Sequence, residues 1–238
     1  VSLVKIEKPS ALKNIDSIIE LSDGSMIARG DLGVELPTER VPVSQKNIIN
    51  RCRDIGKPVV VATQMLESMI SNHTPTRAEA SDVANAIYDG ADAVMLSAES
   101  AIGHFPIESV VMMNNIIQSV ENDSKNYNES IQMQKKHDTS TTDAITNAAY
   151  TISENAHAKA IVTFSVSGGT TLRMSKERAP VQIIGISPNI NTARKLQIMW
   201  GVDSCHNEDA HDTKEMVSIA CAGVKEKKIV KPNDSVVI

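Results

Sequence analysis

Residues 1–122 repeat one pattern four times: a short apolar segment is followed by a longer amphipathic segment. The apolar segments are typical of strands that are buried on both faces, and the longer segments show the helical spacing of apolar residues. The predicted strands lie near residues 2–7, 25–28, 58–63 and 92–97. The predicted helices lie at residues 10–21, 42–55, 76–89 and 106–120. Buried strands joined by helices form parallel sheets, so the pattern predicts part of a barrel or a doubly wound sheet. Because a barrel of eight such units takes roughly 250 residues, four units correspond to half of one.

A second α/β region follows a polar stretch without periodicity, which we interpret as a linker at residues 123–138. Residues 139–238 then alternate predicted helices and strands again. The chain begins with Val1 directly before one strand and ends with Ile238 inside another. We therefore expect a fragment with a first domain at residues 1–122 and a second domain that is truncated at its end.

The composition favours a soluble cytoplasmic protein. Hydrophobic residues make up 41% and charged residues 22% of the chain, as in ordinary globular proteins. The net charge of -5 and the aromatic content of 3% argue against a nucleic-acid-binding protein. No apolar stretch approaches the roughly 20 residues of a membrane span, and we expect no signal peptide. Cys52, Cys205 and Cys221 are widely spaced, which favours a reducing compartment over a disulfide framework.

Polar side chains follow the predicted strands at their carboxyl ends, where parallel α/β proteins carry their chemistry. Period-two alternation places Lys5 and Glu7 on the same side of the first strand. After the second strand, Gly30 and Gly33 flank Asp31 and allow the backbone to turn sharply beside a ligand. Glu7 and Asp31 together suit a hard cation such as Mg²⁺, which takes its other ligands from water and phosphate oxygens. The alternative is an exposed ion pair of Lys5 and Glu7 on an edge strand.

Five motifs stand out along the chain. They are Lys5-Ile6-Glu7; Ala28-Arg29-Gly30-Asp31-Leu32-Gly33-Val34-Glu35; Ala62-Thr63-Gln64-Met65-Leu66-Glu67-Ser68-Met69; Thr76-Arg77-Ala78-Glu79 with the nearby Ser81-Asp82-Val83-Ala84-Asn85-Ala86; and Met95-Leu96-Ser97. In order and spacing these motifs resemble the pyruvate kinase family, and the linker and second α/β region extend the resemblance to nearly the whole chain. Another phosphate-handling barrel enzyme would not explain the first two motifs together. The resemblance implies the second half of a TIM (β/α)8 barrel followed by a smaller three-layer α/β domain.

The resemblance also implies a reaction and roles for individual residues. The reaction is transfer of the phosphoryl group of phosphoenolpyruvate to ADP, which gives pyruvate and ATP in glycolysis. Glu7 and Asp31 would hold Mg²⁺ or Mn²⁺, and Lys5 would neutralise charge on the phosphoryl group and on the developing enolate. The backbone N–H groups of Gly30 and Asp31 would bind the substrate carboxylate. Thr63 would lie near the carbon that is protonated.

Three further residues have supporting roles by resemblance: Arg29, which we expect to orient its neighbours, Ser97 and Glu99. Many relatives carry Gly-Glu-Thr after the serine, whereas this chain has Ala98-Glu99-Ser100. We expect little effect, because the carboxylate is kept. Nothing in the chain corresponds to the first half of the barrel, where the family keeps its K⁺ ligands, its nucleotide contacts and an inserted lid domain. We therefore expect K⁺ as a second cofactor of the whole enzyme, and no activity from this chain alone.

In the second domain, one loop occupies the position of the family's effector-phosphate site. The predicted effector-binding residues are Ser165, Ser167, Gly168, Gly169 and Thr170. Hydroxyl groups and glycines at a helix N-terminus suit a phosphate, although a plain turn with a Ser/Thr cap explains them equally well. The family is commonly tetrameric, so the resemblance implies a homo-oligomer. The alternative function is a non-catalytic regulatory or assembly piece that binds a phosphorylated effector, and the coding region upstream would distinguish the two.

Overall fold

The structure is a computed structural model that describes residues 2–123 and 141–238. The chain divides into two compact units, residues 1–136 and 137–238. The predicted linker lies outside the described residues except for Asp123. No helix within the described ranges is long and apolar enough to cross a membrane.

The first unit contains a sheet of four parallel strands. They are β1 (Leu3–Ile6), β2 (Gly24–Ala28), β3 (Val59–Ala62) and β4 (Ala93–Met95). The strands pair in chain order, with Ile6 in register with Ile27 and Ala28 in register with Ala62. A doubly wound sheet reverses its strand order at a switch point, whereas a barrel keeps it. The sheet therefore has the topology of a barrel section.

Helices connect these strands and pack against the sheet. They are α1 (Pro9–Lys13), α2 (Ile15–Leu21), α3 (Arg29–Glu35), α4 (Val41–Ile55), α5 (Arg77–Tyr88), α6 (Ala98–Ala101) and α7 (Pro106–Asn122), with 3-10 turns at Thr38–Arg40 and Glu67–Ile70. The core is one apolar cluster in which Ile6, Ile27 and Val61 from the strands meet Ile49 and Val83 from α4 and α5. Burial of these side chains fixes the strand ends in place, since apolar burial is the dominant favourable term in folding.

Two local features of the helices differ from the prediction. The predicted helix at residues 10–21 is interrupted at Asn14, where the backbone is not helical (φ -115°, ψ 23°) and the side-chain amide donates a hydrogen bond to the preceding turn. An asparagine side chain competes in this way with the helical hydrogen bonds. The helix predicted at residues 76–89 begins one residue later, at Arg77. The helix is capped by Thr76, which forms a capping box with Glu79.

The second unit contains another parallel sheet, with the strand order β7, β6, β5, β8. Its strands are β5 (Ala160–Phe164), β6 (Gln182–Ser187), β7 (Val202–His206) and β8 (Val236–Val237), and its helices are α8 (Thr141–Asn155), α9 (Gly169–Lys176), α10 (Ile190–Leu196) and α11 (Thr213–Glu226). Ile161 and Ile183 pack with residues of α9 and α10, whereas Val162 and Ile184 pack with residues of α11. Successive residues thus face two separate cores. This confirms the predicted three-layer α/β arrangement.

Candidate active site

Lys5 joins two carboxylates at the carboxyl ends of β1 and β2. Its Nζ lies 2.6 Å from Glu7 Oε2 and 2.6 Å from Asp31 Oδ2. The β-strand period brings Glu7 to the side of Lys5, and α3 presents Asp31 in its first turn, directly after β2. The three side chains are 47%, 34% and 54% exposed, so the cluster is open to solvent.

The ammonium group changes the acidity of its partner. Hydrogen bonding from Lys5 holds the pKa of Asp31 below its ordinary value, and the same bond raises the pKa of Lys5 together with the bond to Glu7. Both members of the Lys5–Asp31 pair are therefore charged at neutral pH. No group of three or more His, Cys, Asp or Glu side chains within the described residues is arranged to hold a metal ion. A cation at Glu7 and Asp31 would take its other ligands from water or from a substrate.

The Thr63 hydroxyl is hydrogen-bonded to the backbone amide of Gly30, next to this cluster. The N–H of Gly30 donates to Thr63 Oγ1 at 2.7 Å, and the Thr63 hydroxyl donates to the carbonyl of Ala62 at 2.6 Å. The amide predicted to bind a substrate carboxylate is thus engaged by the threonine predicted to lie beside the reacting carbon. Thr63 and Gln64 both have positive φ angles, 69° and 54°, which non-glycine residues seldom adopt.

Arg29 lies beneath this turn with a side chain that is only 10% exposed. Its Nη1 lies 2.6 Å from Asp82 Oδ2, and its Nη2 donates to the carbonyl of Thr63 at 2.9 Å and to that of Gln64 at 3.3 Å. A weaker contact from Nη1 reaches Gln45 Oε1 at 3.4 Å. The guanidinium group therefore contacts backbone and side chains from three parts of the unit.

Glu99 is 2% exposed, and its carboxylate accepts hydrogen bonds from two backbone amides. Its two carboxylate oxygens accept the N–H of Leu66 at 3.1 Å and the N–H of Ser97 at 2.7 Å. These amides follow β3 and β4, so Glu99 connects the ends of two neighbouring strands by hydrogen bonds. Ser97 itself is exposed.

Comparison with known proteins identifies the family. The model of the pyruvate kinase barrel domain matches residues 2–110, and the model of the pyruvate kinase alpha/beta domain matches residues 143–238. The chain belongs to the pyruvate kinase family. This confirms the resemblance, and with it the fold: half of a TIM barrel followed by a smaller α/β domain.

Individual pyruvate kinases are similar over nearly the whole chain. The enzyme of Methylorubrum extorquens is 47% identical over 99% of this chain, and one from Agrobacterium vitis is 48% identical over 99%. A crystal structure of a pyruvate kinase from Cryptosporidium parvum superposes with a TM-score of 0.89 at 39% identity, covering 98% of this chain. The chain spans 49%, 50% and 48% of these three proteins, which is about half of each.

The loop predicted to bind an effector phosphate is a tight turn before α9. Gly168 has a left-handed backbone (φ 89°), and its N–H donates to Ser165 Oγ at 2.9 Å. Ser167 and Thr170 are exposed. A Cβ on Gly169 would lie 3.4 Å from Arg173 Nη1, so a guanidinium group lies beside the loop.

Sequence reasoning missed two groups at these sites. Asp82 lies within a motif of the pyruvate kinase family, but nothing in the sequence indicated that Arg29, 53 positions earlier, would be its partner. Arg173 follows Gly169 by four residues, which places both on one face of a helix. That spacing was the available signal for a basic group near the predicted effector site.

Proposed function

We propose that this chain supplies the second half of the catalytic barrel and the C-terminal domain of a pyruvate kinase. Such an enzyme transfers the phosphoryl group of phosphoenolpyruvate to ADP and yields pyruvate and ATP. The single observation that carries the proposal is the position of the Lys5 ammonium, 2.6 Å from each of two carboxylates at the strand ends. Membership of the family supports the same reaction. The remaining residues of the active site would come from the half of the barrel that this chain does not contain.

In this proposal, Lys5 acts on the charge that moves during the reaction. The bond between phosphorus and the enol oxygen breaks while a terminal oxygen of ADP binds the phosphorus, and the enolate that remains takes up a proton to become pyruvate. A fixed ammonium group stabilises the charge on the phosphoryl group and the enolate oxygen without reorganising. The hydroxyl of Thr63 lies on the Gly30 amide, beside Asp31, where it would face the enolate carbon.

Glu7 and Asp31 would hold the divalent cation in this proposal. Both carboxylates are accessible to solvent and meet one ammonium group, and hydrogen bonding from Lys5 lowers the pKa of Asp31 further below neutral pH. Two carboxylates with room for water and phosphate oxygens suit Mg²⁺ or Mn²⁺. The ion would supply a positive charge for the phosphoryl oxygens when bound. The K⁺ that the family uses would be bound mainly by residues outside this chain.

An assay of the full-length protein, in which this chain is continued to the length of its relatives, tests the proposal. Phosphoenolpyruvate and ADP are supplied with Mg²⁺ and K⁺, and both pyruvate and ATP are measured. Lys5→Met should lower turnover by orders of magnitude and substrate affinity much less, because the charge acts mainly in the transition state. Lys13→Met, at an exposed lysine of α1, is the matched control. Equal activity of the two variants would contradict the proposal.

We also propose that the second unit binds a phosphorylated effector, such as a sugar phosphate, at Ser165, Ser167, Gly168, Gly169 and Thr170. The positive charge of Arg173 beside Gly169 favours this function over a plain turn. Ser167→Glu should abolish activation of the full-length protein by sugar phosphates through like-charge repulsion, and Ser167→Gln is the neutral control. An activation that persists unchanged in Ser167→Glu would place the effector elsewhere.

A further inference from the structure

The backbone that follows β3 has a conformation that is costly without support. Thr63 is β-branched and has φ 69°, and Gln64 follows with φ 54°. Such conformations persist only where the surroundings fix them, and they concentrate at functional sites. The Thr63 side chain is carried by this backbone, and its Oγ1 accepts the Gly30 N–H at 2.7 Å.

The groups that fix the turn are Arg29 and Asp82. The Nη2 group of Arg29 donates to the carbonyls of both left-handed residues, Thr63 and Gln64. On its other edge, Nη1 lies 2.7 Å from Asp82 Oδ1 and 2.6 Å from Asp82 Oδ2. A planar guanidinium group can serve both edges at once, which an ammonium group cannot.

The helix that carries Asp82 is itself anchored beside the turn. Glu79 caps α5 by accepting the N–H of Thr76, and it also accepts the N–H of Ser68 at 2.7 Å and its hydroxyl at 2.6 Å. Ser68 belongs to the 3-10 turn that follows the left-handed pair by a few residues. Asp82 is therefore held at a fixed place relative to the turn that Arg29 supports.

We propose that Arg29, held by Asp82, is a positioning residue for Thr63. The guanidinium group fixes the left-handed backbone of Thr63 and Gln64. It thereby maintains the hydrogen bond between the Thr63 hydroxyl and the Gly30 amide, next to the Lys5–Asp31 pair. The inference rests on the proposed function, since it concerns the step in which the enolate is protonated. Arg29 touches no reacting atom in this proposal and acts through Thr63 alone.

The first test compares Arg29→Lys with Arg51→Lys in the full-length protein. The Arg51 side chain is 41% exposed and lies 2.7 Å from Asp16. Arg51→Lys is therefore the matched control, because it makes the same substitution in an exposed ion pair. We expect turnover of Arg29→Lys to fall on the order of tenfold to a hundredfold, because small misplacements of a catalytic group have effects of that size. The Michaelis constant for phosphoenolpyruvate should change much less. Arg51→Lys should match the wild type.

A double-mutant cycle separates positioning from a general structural role. If Arg29 acts through Thr63, the change Arg29→Lys should have less than about a twofold effect on turnover once Thr63→Ala is present. A structural defect would lower turnover by the same factor in both backgrounds. Asp82→Asn repeats the test with a smaller perturbation should Arg29→Lys fail to fold, since it keeps an acceptor for Nη1 and removes only the charge.

Hydrogen exchange at the Gly30 amide gives a readout that does not depend on activity. Mass spectrometry of peptides covering residues 29–35 should show faster exchange at Gly30 in Arg29→Lys and Asp82→Asn than in the wild type or Arg51→Lys. If the wild-type protein forms no ATP, the proposed function is wrong and the exchange data alone decide on the positioning role. Unchanged exchange at Gly30 would overturn the inference. So would an effect of Arg29→Lys on turnover that is as large with Thr63→Ala present as without it.

Discussion

Replacing Glu99 by glutamine should weaken the hydrogen bonds that connect the ends of β3 and β4. The carboxylate is 2% exposed, and its oxygens accept the amides of Leu66 at 3.1 Å and Ser97 at 2.7 Å. Glutamine has the same shape but only one acceptor oxygen, so one amide would face an NH₂ donor and lose its partner. A hydrogen bond to a charged group contributes about 1.5–3 kcal/mol, and a buried donor without a partner is destabilising.

The magnitude can be measured at the two amides themselves. Local opening that costs about 1.5–3 kcal/mol less corresponds to exchange that is roughly tenfold to 150-fold faster. We would measure hydrogen exchange in the full-length protein on peptides that contain Leu66 or Ser97, with Glu39→Gln as the exposed control. At least one of the two amides should exchange faster in Glu99→Gln only. Unchanged protection at both amides would refute the reasoning.

Three further predictions concern the first unit, and a fourth concerns the whole chain. Asp31→Asn should raise the Mg²⁺ concentration for half-maximal activity on the order of tenfold or more, because one of the two proposed carboxylate ligands is lost; an unchanged Mg²⁺ dependence would contradict this. Because Lys5 lowers the pKa of Asp31, their ion pair is present above the ordinary aspartate pKa of about 3.9 and is lost only as the pH falls through the lower folded value. Carbon NMR titration should show a higher pKa for Asp31 in Lys5→Met than in the wild type. An unchanged pKa of Asp31 would count against the pairing. Gly24→Ala should destabilise the unit by about 1–3 kcal/mol in urea unfolding, since its Cβ would lie 2.9 Å from the backbone carbonyl of Pro58; a wild-type midpoint would contradict this. Residues 1–238 alone should form no ATP above background, because half of the site is absent and its charges are screened by water; turnover by the pure chain would contradict this.

The local pattern of the sequence was sufficient for the four strands and the main helical regions of the first unit, but not for α3, α6 or the break at Asn14. Strands apolar on both faces had to lie in a covered parallel sheet, and the two-residue period of a strand placed Lys5 and Glu7 side by side. Asp31 follows β2 within three residues, so its place at the sheet edge was also set by short-range geometry. Motifs in order and spacing then indicated the family, which the comparisons confirm.

The interactions that hold the site were decided by tertiary structure alone. Arg29 meets Asp82 across 53 positions, and Glu99 meets Leu66 across 33, and no local periodicity relates residues so far apart. The left-handed backbone of Thr63 is equally invisible in sequence, because a β-branched residue disfavours it and only contacts from distant segments support it. Local propensity describes each residue in relation to its near neighbours, whereas these partners meet only after the sheet has brought separate strand ends to one edge.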